Sequence, residues 1–134
     1  MIRIYWLPWA IAGPGQLANG STQPFRANGR PAASLCLRPN SATMDENVAR
    51  GIEQDPLLRD TILYAVCLHE IGHALGLGDS ADAADIMWGG GRNNLTVYQR
   101  YRRRVQDRDA IPRVSWLSED DIARVRALYP RPPV

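Results

Sequence analysis

The sequence predicts an α+β protein, with a small β-sheet near the N-terminus, one long central helix and a C-terminal helix. Residues 2–7 (IRIYWL) have an alternating pattern and are rich in β-branched and aromatic side chains, which is typical of a strand. The run that follows Pro56 has helical periodicity and no helix breaker until Gly72, and the run that follows Ser118 opens with a capping box. At 134 residues the chain has the size of a single domain.

Two strands are predicted in the N-terminal part of the chain, at residues 2–7 and at residues 32–37. Residues 13–31 between them are rich in Gly, Pro, Asn and Ser, which predicts loops with at most a short irregular strand near residues 17–22. Residues 40–55 are polar, and we expect mostly loop there, with room for a helical turn.

The central helix is predicted to begin at Asp55-Pro56, because Asp favours the N-cap and Pro the first helical position. Gly76 supplies the stop at its other end. His69, Glu70 and His73 project from one side of this helix. The opposite, apolar side is expected to consist of Leu63, Tyr64, Cys67, Ile71, Ala74 and Leu75.

The C-terminal part begins with a predicted loop at residues 79–93, which contains three consecutive glycines. Residues 94–106 are a helix candidate rich in arginine. Residues 117–130 form the clearest helix of the chain: Ser118 caps it and Asp121 completes the capping box. Three acidic residues in its first turn favour the positive end of the helix dipole.

The composition excludes some classes of function. The formal charge of +2 comes from 16 basic residues, all arginine, and a nucleic-acid partner would call for a larger basic excess. No segment approaches the apolar length of a membrane span, and the N-terminal residues make a poor secretory leader. Cys36 and Cys67 could form one disulfide, but two buried free thiols are the favoured alternative.

The strongest chemical signal lies in the central helix. His69 and His73 are four residues apart, so both imidazoles face the same way and can bind one metal ion. Glu70 is well placed to take a proton from a water molecule on that metal. Two histidine nitrogens together with one carboxylate oxygen are ligands that suit Zn²⁺. A bare HExxH pattern also occurs by chance. Here, however, it contains the only two histidines of the chain, and it continues through Gly76 to Asp79.

The extended pattern HExxHxxGxxD resembles the metzincin clan of zinc endopeptidases, in which the helix breaks at a glycine and the chain turns back to deliver a third ligand. In this resemblance Gly76 is the turn glycine and Asp79 the third ligand. Downstream, ADIMWGG is similar to the clan's Met-turn, with Met87 as the methionine below the metal. Within the clan, the active-site segment and the last helix resemble most closely the matrixins, the matrix-metalloprotease-like catalytic domains.

The third ligand departs from the matrixin pattern, because matrixins have His at the position of Asp79. A carboxylate also binds zinc, and the snapalysin-like metzincins resemble this sequence in using Asp there. Asp82 and Asp85 are rival ligands, but their offsets fit the turn less well. The chain has no third histidine and no acidic residue before Asp45, which excludes a histidine-based structural zinc and makes calcium unexpected.

The resemblance implies a single metzincin-like metallopeptidase domain over residues 1–134. Its architecture would be a truncated one, with a small twisted mixed β-sheet packed on an active-site helix, plus a C-terminal helix. Family domains carry further N-terminal elements, which leaves three alternatives: a minimal variant, a missing N-terminal segment, or a partner chain that completes the sheet. Extracellular localisation is expected from the family.

The implied activity is that of a zinc-dependent endopeptidase with one catalytic Zn²⁺ and peptide or protein substrates. His69, His73 and Asp79 would hold the metal, and Glu70 would activate the zinc-bound water. One alternative is a non-catalytic zinc-binding fragment or interaction module. Another is binding to an anionic surface through the arginines of residues 100–108, which could instead select acidic substrates or simply form a solvated helix face.

Overall fold

The computed structural model describes residues 1–6, 20–38, 44–90 and 95–130. The end of the predicted first strand at Leu7 lies outside the described residues, as do the predicted loop at residues 13–19 and the third glycine of the run, Gly91.

The sheet has three strands: β1 (Ile2–Trp6), β2 (Gly20–Ala27) and β3 (Arg30–Leu37). Their order is β1-β3-β2, with β1 parallel and β2 antiparallel to the central strand. The mixed sheet and the two predicted strands are therefore confirmed. The predicted loop is wrong from Gly20 onward, because that segment forms the edge strand β2.

A tight turn explains this difference. Asn28 and Gly29 have φ angles of +52° and +75°, and they connect the paired residues Ala27 and Arg30. Positive φ at both central residues is the signature of the type I′ turn, for which Asn-Gly is the preferred sequence. Pro24 lies within β2 and is tolerated because β2 is an edge strand.

Among the described residues, four α-helices and one 3₁₀ helix follow the sheet. They are α1 (Glu46–Gln54), α2 (Pro56–Ala74), α3 (Leu95–Arg102), the 3₁₀ helix Arg108–Arg113 and α4 (Glu119–Leu128). The described residues include no helix that is long and apolar enough to cross a membrane.

Helix α1 corrects the expected loop at residues 40–55. The Asp45 side chain accepts a hydrogen bond from the backbone N–H of Asn47 at 2.9 Å, which caps the helix. Val48 and Ile52, four residues apart, lie on one face of α1 and are buried. Their burial offsets the conformational entropy that this polar segment loses when it forms a helix.

Helix α2 begins at the predicted proline, but Asp55 makes no side-chain cap. Its carboxylate instead pairs with Arg102 of α3, with Oδ2 2.7 Å from Nε. Helix α2 packs on β2 and β3 and is also contacted by α1 and α3, so it is covered on more than one side. The residues of the predicted apolar side are only partly buried, because the contacts of α2 are spread over several of its faces. The buried positions are Leu58, Thr61, Ile62, Ala65, Glu70 and Gly72.

Two hydrophobic clusters fix α2 in place. One surrounds Met87 and Trp116 and includes Ala65 of α2. The other surrounds Val48 of α1 and includes Leu58 and Ile62 of α2. Because α2 contributes to both clusters, the positions of its polar residues are set by packing along the whole helix.

The two cysteines are free thiols, each partly buried. Cys36 lies on β3 and Cys67 on α2. Burial raises the pKa of the Cys67 thiol, and the nearby Glu70 carboxylate adds to the increase.

Candidate metal centre

The two histidines converge on one point beside α2. Their Nε2 atoms are 3.0 Å apart, and each Nδ1 lies 2.9 Å from a backbone carbonyl oxygen, that of Ile86 for His69 and that of Leu77 for His73. Since a carbonyl only accepts hydrogen bonds, this arrangement assigns the proton to Nδ1 in both rings. Both Nε2 lone pairs then face the same point.

Asp79 supplies a third acceptor at this point. Its Oδ1 lies 3.3 Å from Nε2 of His73 and 3.6 Å from Nε2 of His69. Ligand atoms held 2.0–2.1 Å from a tetrahedral zinc ion are separated by about 3.3 Å. Three atoms whose lone pairs face one another repel unless a cation lies between them. These three ligand atoms therefore fit Zn²⁺. In the part of the chain that the structure describes, this is the one such group of three His, Cys, Asp or Glu side chains.

The rival aspartates are engaged elsewhere. Asp82 accepts a hydrogen bond from the backbone N–H of Ala84 at 2.8 Å. Asp85 accepts hydrogen bonds from the hydroxyls of Ser118, at 2.6 Å, and Ser80. These two serines lower the pKa of Asp85, against a smaller upward effect of burial. The structure thus brings Asp79 to the histidines, and not Asp82 or Asp85.

The end of α2 explains how Asp79 arrives there. Gly76, with φ +100°, donates its N–H to the carbonyl of His73, and the N–H of Leu77 bonds to the carbonyl of Gly72, both at 2.9 Å. These two bonds define a Schellman motif, whose positive-φ position favours glycine. The turn redirects the chain toward Asp79, and its Leu77 carbonyl also orients the His73 ring.

Gly89 packs directly against Asp79. A Cβ atom at Gly89 would lie 2.7 Å from both Cγ and Oδ2 of that aspartate, closer than real side chains approach. Gly89 is held there by its N–H, which donates to the carbonyl of Ser80 at 3.1 Å. The absence of a side chain at Gly89 therefore lets the carboxylate lie beside the histidines.

Met87 packs against α2 at the helical turn that carries His73. Its side chain is fully buried against α2, and a Cβ at Gly72 would lie 2.2 Å from its Sδ. Gly72 lies one residue before His73, so methionine and helix are in contact at the ligand-bearing turn. The preceding residue, Ile86, provides the carbonyl that orients His69.

A buried aspartate of α4 holds the turn that contains Ile86 and Met87 (the Met87 turn). Asp121 is 1% exposed and accepts hydrogen bonds from the N–H groups of Ile86, at 2.8 Å, and Met87, at 3.4 Å. The predicted capping box is also present, with Asp121 accepting from the Ser118 N–H at 3.0 Å. The capping role was predictable from the sequence, whereas the contact with the turn joins residues 34 and 35 positions apart and left no local signal.

Glu70 is almost fully buried, at 4% exposure, and its carboxylate faces strand β2. The Thr22 hydroxyl donates to its Oε2 at 2.5 Å. Gly20 lies against the same side chain, since a Cβ there would be 2.8 Å from Cγ of Glu70 and 3.0 Å from Oε1. Thr22 is not among the predicted site residues, because residues 13–31 are predicted as loops with at most a short irregular strand near residues 17–22.

A cavity of about 70 Å³ opens beside His69 and Glu70. It lies between α2, the Met87 turn and α3. Its apolar lining includes Ala65, Val66, Ile86, Trp88, Val97 and Tyr101.

The arginines of residues 100–108 mainly hold α3 and the following segment in place. Arg108 pairs with Asp60 of α2 at 2.6 Å, as Arg102 pairs with Asp55. Arg100 donates to the carbonyl of Ala83. Two of the five arginines thus pair with carboxylates of the same chain, which reduces the positive charge available to an anionic partner or an acidic substrate.

Comparisons with curated proteins and with solved structures gave no match. A family comparison did: residues 41–130 match the family described as Matrixin. The matched region begins after the sheet and contains all three converging ligands, Glu70, the Met87 turn and α4. Since the match extends over well more than half of the 134 residues and includes these features, the chain belongs to the matrixin family of metallopeptidase domains.

Proposed function

We propose that the chain is a zinc-dependent endopeptidase in which His69, His73 and Asp79 hold the metal and Glu70 is the general base. The observation that carries the proposal is the convergence of two Nε2 lone pairs and one carboxylate oxygen within 3.0–3.6 Å, with Glu70 on the same helix. A bound Zn²⁺ supplies Lewis-acid chemistry, which polarises the peptide carbonyl and makes a water molecule more acidic. The aspartate ligand is the feature that the chain would share with snapalysin-like metzincins.

Glu70 moves the proton in this mechanism. Its carboxylate takes a proton from the attacking water as the water oxygen bonds to the carbonyl carbon. It then gives that proton to the departing amine nitrogen as the C–N bond breaks. The side chain lines the cavity together with His69, which supports its access to a substrate held there.

The substrate would be a peptide or protein segment in extended form. Strand β2 is an edge of the sheet, and its Gly20 and Thr22 lie against the general base. An extended peptide can pair with such an edge through backbone hydrogen bonds. The neighbouring apolar cavity would then take an apolar side chain, in preference to the acidic one that the arginines suggested.

Residues 1–134 are proposed to act as one domain, because both hydrophobic clusters share α2. A non-catalytic zinc-binding module is the alternative, and one observation favours it. All five residues of β1 are exposed, with Trp6 at 60%, so no residue in the described part of the chain covers the sheet on this side. A further segment or a partner chain at β1 would then be needed to stabilise the peptide-binding edge.

The test is zinc content and cleavage of a quenched fluorescent peptide library, for the native chain and for Glu70→Ala. Removing a general base costs about 10²–10⁴-fold in rate, so we expect Glu70→Ala to retain zinc and lose cleavage to that extent. Glu53→Ala, which changes an exposed carboxylate on α1, is the matched control and should behave like the native chain. A native chain that binds zinc but cleaves nothing between acidic and alkaline pH would favour the non-catalytic module.

A further inference from the structure

We propose that Thr22 is a positioning residue that holds the Glu70 carboxylate in its reactive orientation; the inference rests on the proposed function. The Thr22 hydroxyl lies 2.5 Å from Oε2 of Glu70, a separation typical of a strong hydrogen bond to a charged oxygen. No other side chain in residues 1–6, 20–38, 44–90 and 95–130 is hydrogen-bonded to this carboxylate.

A glutamate needs such a partner to act as a base. Its carboxylate is separated from the backbone by three rotatable bonds, whereas proton transfer requires one oxygen within hydrogen-bond reach of the water. The Thr22 hydroxyl fixes Oε2. Gly20 restricts the rest of the side chain, since a Cβ built there would lie 2.8 Å from Cγ and 3.0 Å from Oε1. Oε1, which is not bonded to Thr22, is then the oxygen that accepts the proton.

The same hydroxyl can hold Glu70 before and after proton transfer. Thr22 Oγ1 lies 2.9 Å from the backbone carbonyl oxygen of Glu70 as well as 2.5 Å from Oε2. A hydroxyl has one proton to donate and two lone pairs. It donates to Oε2 when the carboxylate is ionised, and it can donate to the carbonyl and accept from Oε2 when the carboxyl carries the proton.

The sheet makes Thr22 a rigid support. Thr22 is paired with Leu35 of the central strand β3, and the Leu35 side chain is fully buried. Its β-branched side chain has restricted χ1, so the hydroxyl has few alternative positions. Because Thr22 is part of the edge strand proposed to pair with substrate, the base and the peptide would be aligned by the same strand.

Two substitutions at this position separate the hydroxyl from the shape of the side chain. Thr22→Val keeps the shape and removes the hydroxyl, whereas Thr22→Ser keeps the hydroxyl. We expect Thr22→Val to bind zinc as the native chain does, with nearly unchanged KM and a kcat lowered by about 10²-fold, the cost of a misplaced catalytic group. Thr22→Ser should retain most of kcat. Thr61→Val is the matched control, because it removes a threonine hydroxyl that bonds to the backbone carbonyl of Leu57 within α2, and it should leave kcat unchanged.

A double-mutant cycle on the zinc-loaded chain gives a readout that is independent of activity. Thr22→Val should lower the unfolding midpoint in the native background and have a clearly smaller effect in the Glu70→Ala background. Equal kcat for Thr22→Val and the native chain, or equal losses in Thr22→Val and Thr22→Ser, would overturn the inference while leaving the proposed function intact. A native chain without activity would overturn the proposed function and with it the catalytic role of Thr22, and the cycle would then show only whether the hydrogen bond holds Glu70.

Discussion

Replacing Gly72 by alanine sets helix propensity against packing at the metal centre. In the interior of a helix, alanine is favoured over glycine by about 1 kcal/mol. At this position, however, the added Cβ would lie 2.2 Å from Sδ and 3.0 Å from Cε of Met87. Non-bonded heavy atoms prefer separations of about 3.5–4.0 Å. The methionine must therefore move by more than ~1 Å for the alanine to fit.

The surroundings of Met87 restrict that movement. Its side chain is fully buried, and Asp121 holds its N–H together with that of Ile86. Overpacking a rigid core costs about 1–3 kcal/mol, and we expect the upper end here. After subtraction of the gain in helix propensity, Gly72→Ala should lower the free energy of unfolding by about 2 kcal/mol. For a domain of this size that is a decrease in Tm of about 8 °C.

The assay is thermal and urea unfolding of the zinc-loaded chain at a fixed zinc concentration, because a ligand that binds the native state shifts Tm. Gly78→Ala is the matched control, since a Cβ there has no heavy atom within 4 Å and should change little. Met87→Ala removes the clashing atoms. The double variant should therefore lose less unfolding free energy than the two single variants lose together. A Gly72→Ala chain as stable as the native one would refute the packing of Met87 against α2.

Three further predictions follow from neighbouring contacts. Gly89→Ala should displace Asp79 and weaken zinc binding, measured by competition with a chelator; unchanged affinity would show that the carboxylate does not depend on this close approach. Asp85→Asn tests pH dependence: hydrogen bonds lower the pKa of Asp85, so its stabilisation is present above its unfolded pKa near 4 and is lost as pH falls further. The Tm difference between native and Asp85→Asn should thus shrink below about pH 4, and a constant difference would contradict this. Arg102→Ala breaks a partly exposed pair with Asp55 and should cost no more than about 1 kcal/mol in urea unfolding, without changing the cleavage of apolar or acidic peptides.

The convergence of His69, His73 and Asp79 was largely predictable because its signals are local. The spacing of His69 and His73 on one helix already placed both imidazoles on one side, and Gly76 marked the turn that leads to Asp79. Such relations depend on helix geometry and on a single capping motif, both of which are encoded within a dozen residues. In the structure the three side chains approach one another to 3.0–3.6 Å.

The supporting contacts were not predictable in the same way. Thr22 and Glu70 are 48 positions apart, and their contact depends on how the sheet lies on α2. Strand β2 itself was missed because its polar residues and Pro24 suggested a loop, although Asn28-Gly29 is a strong hairpin signal. Helix α1 was missed because its apolar positions are few, and only packing with α2 makes that segment worth ordering.

The central claim is that His69, His73 and Asp79 together form a zinc site. Its most direct test is the zinc stoichiometry and affinity of the native chain, Asp79→Ala and Asp82→Ala, determined by competition with a chromophoric chelator. The native chain should bind one zinc ion. Asp79→Ala should weaken its affinity by more than ~10²-fold, since even residues that only support a ligand contribute about 10–100-fold. Asp82→Ala should leave the affinity unchanged. Equal affinities for Asp79→Ala and the native chain would contradict the claim.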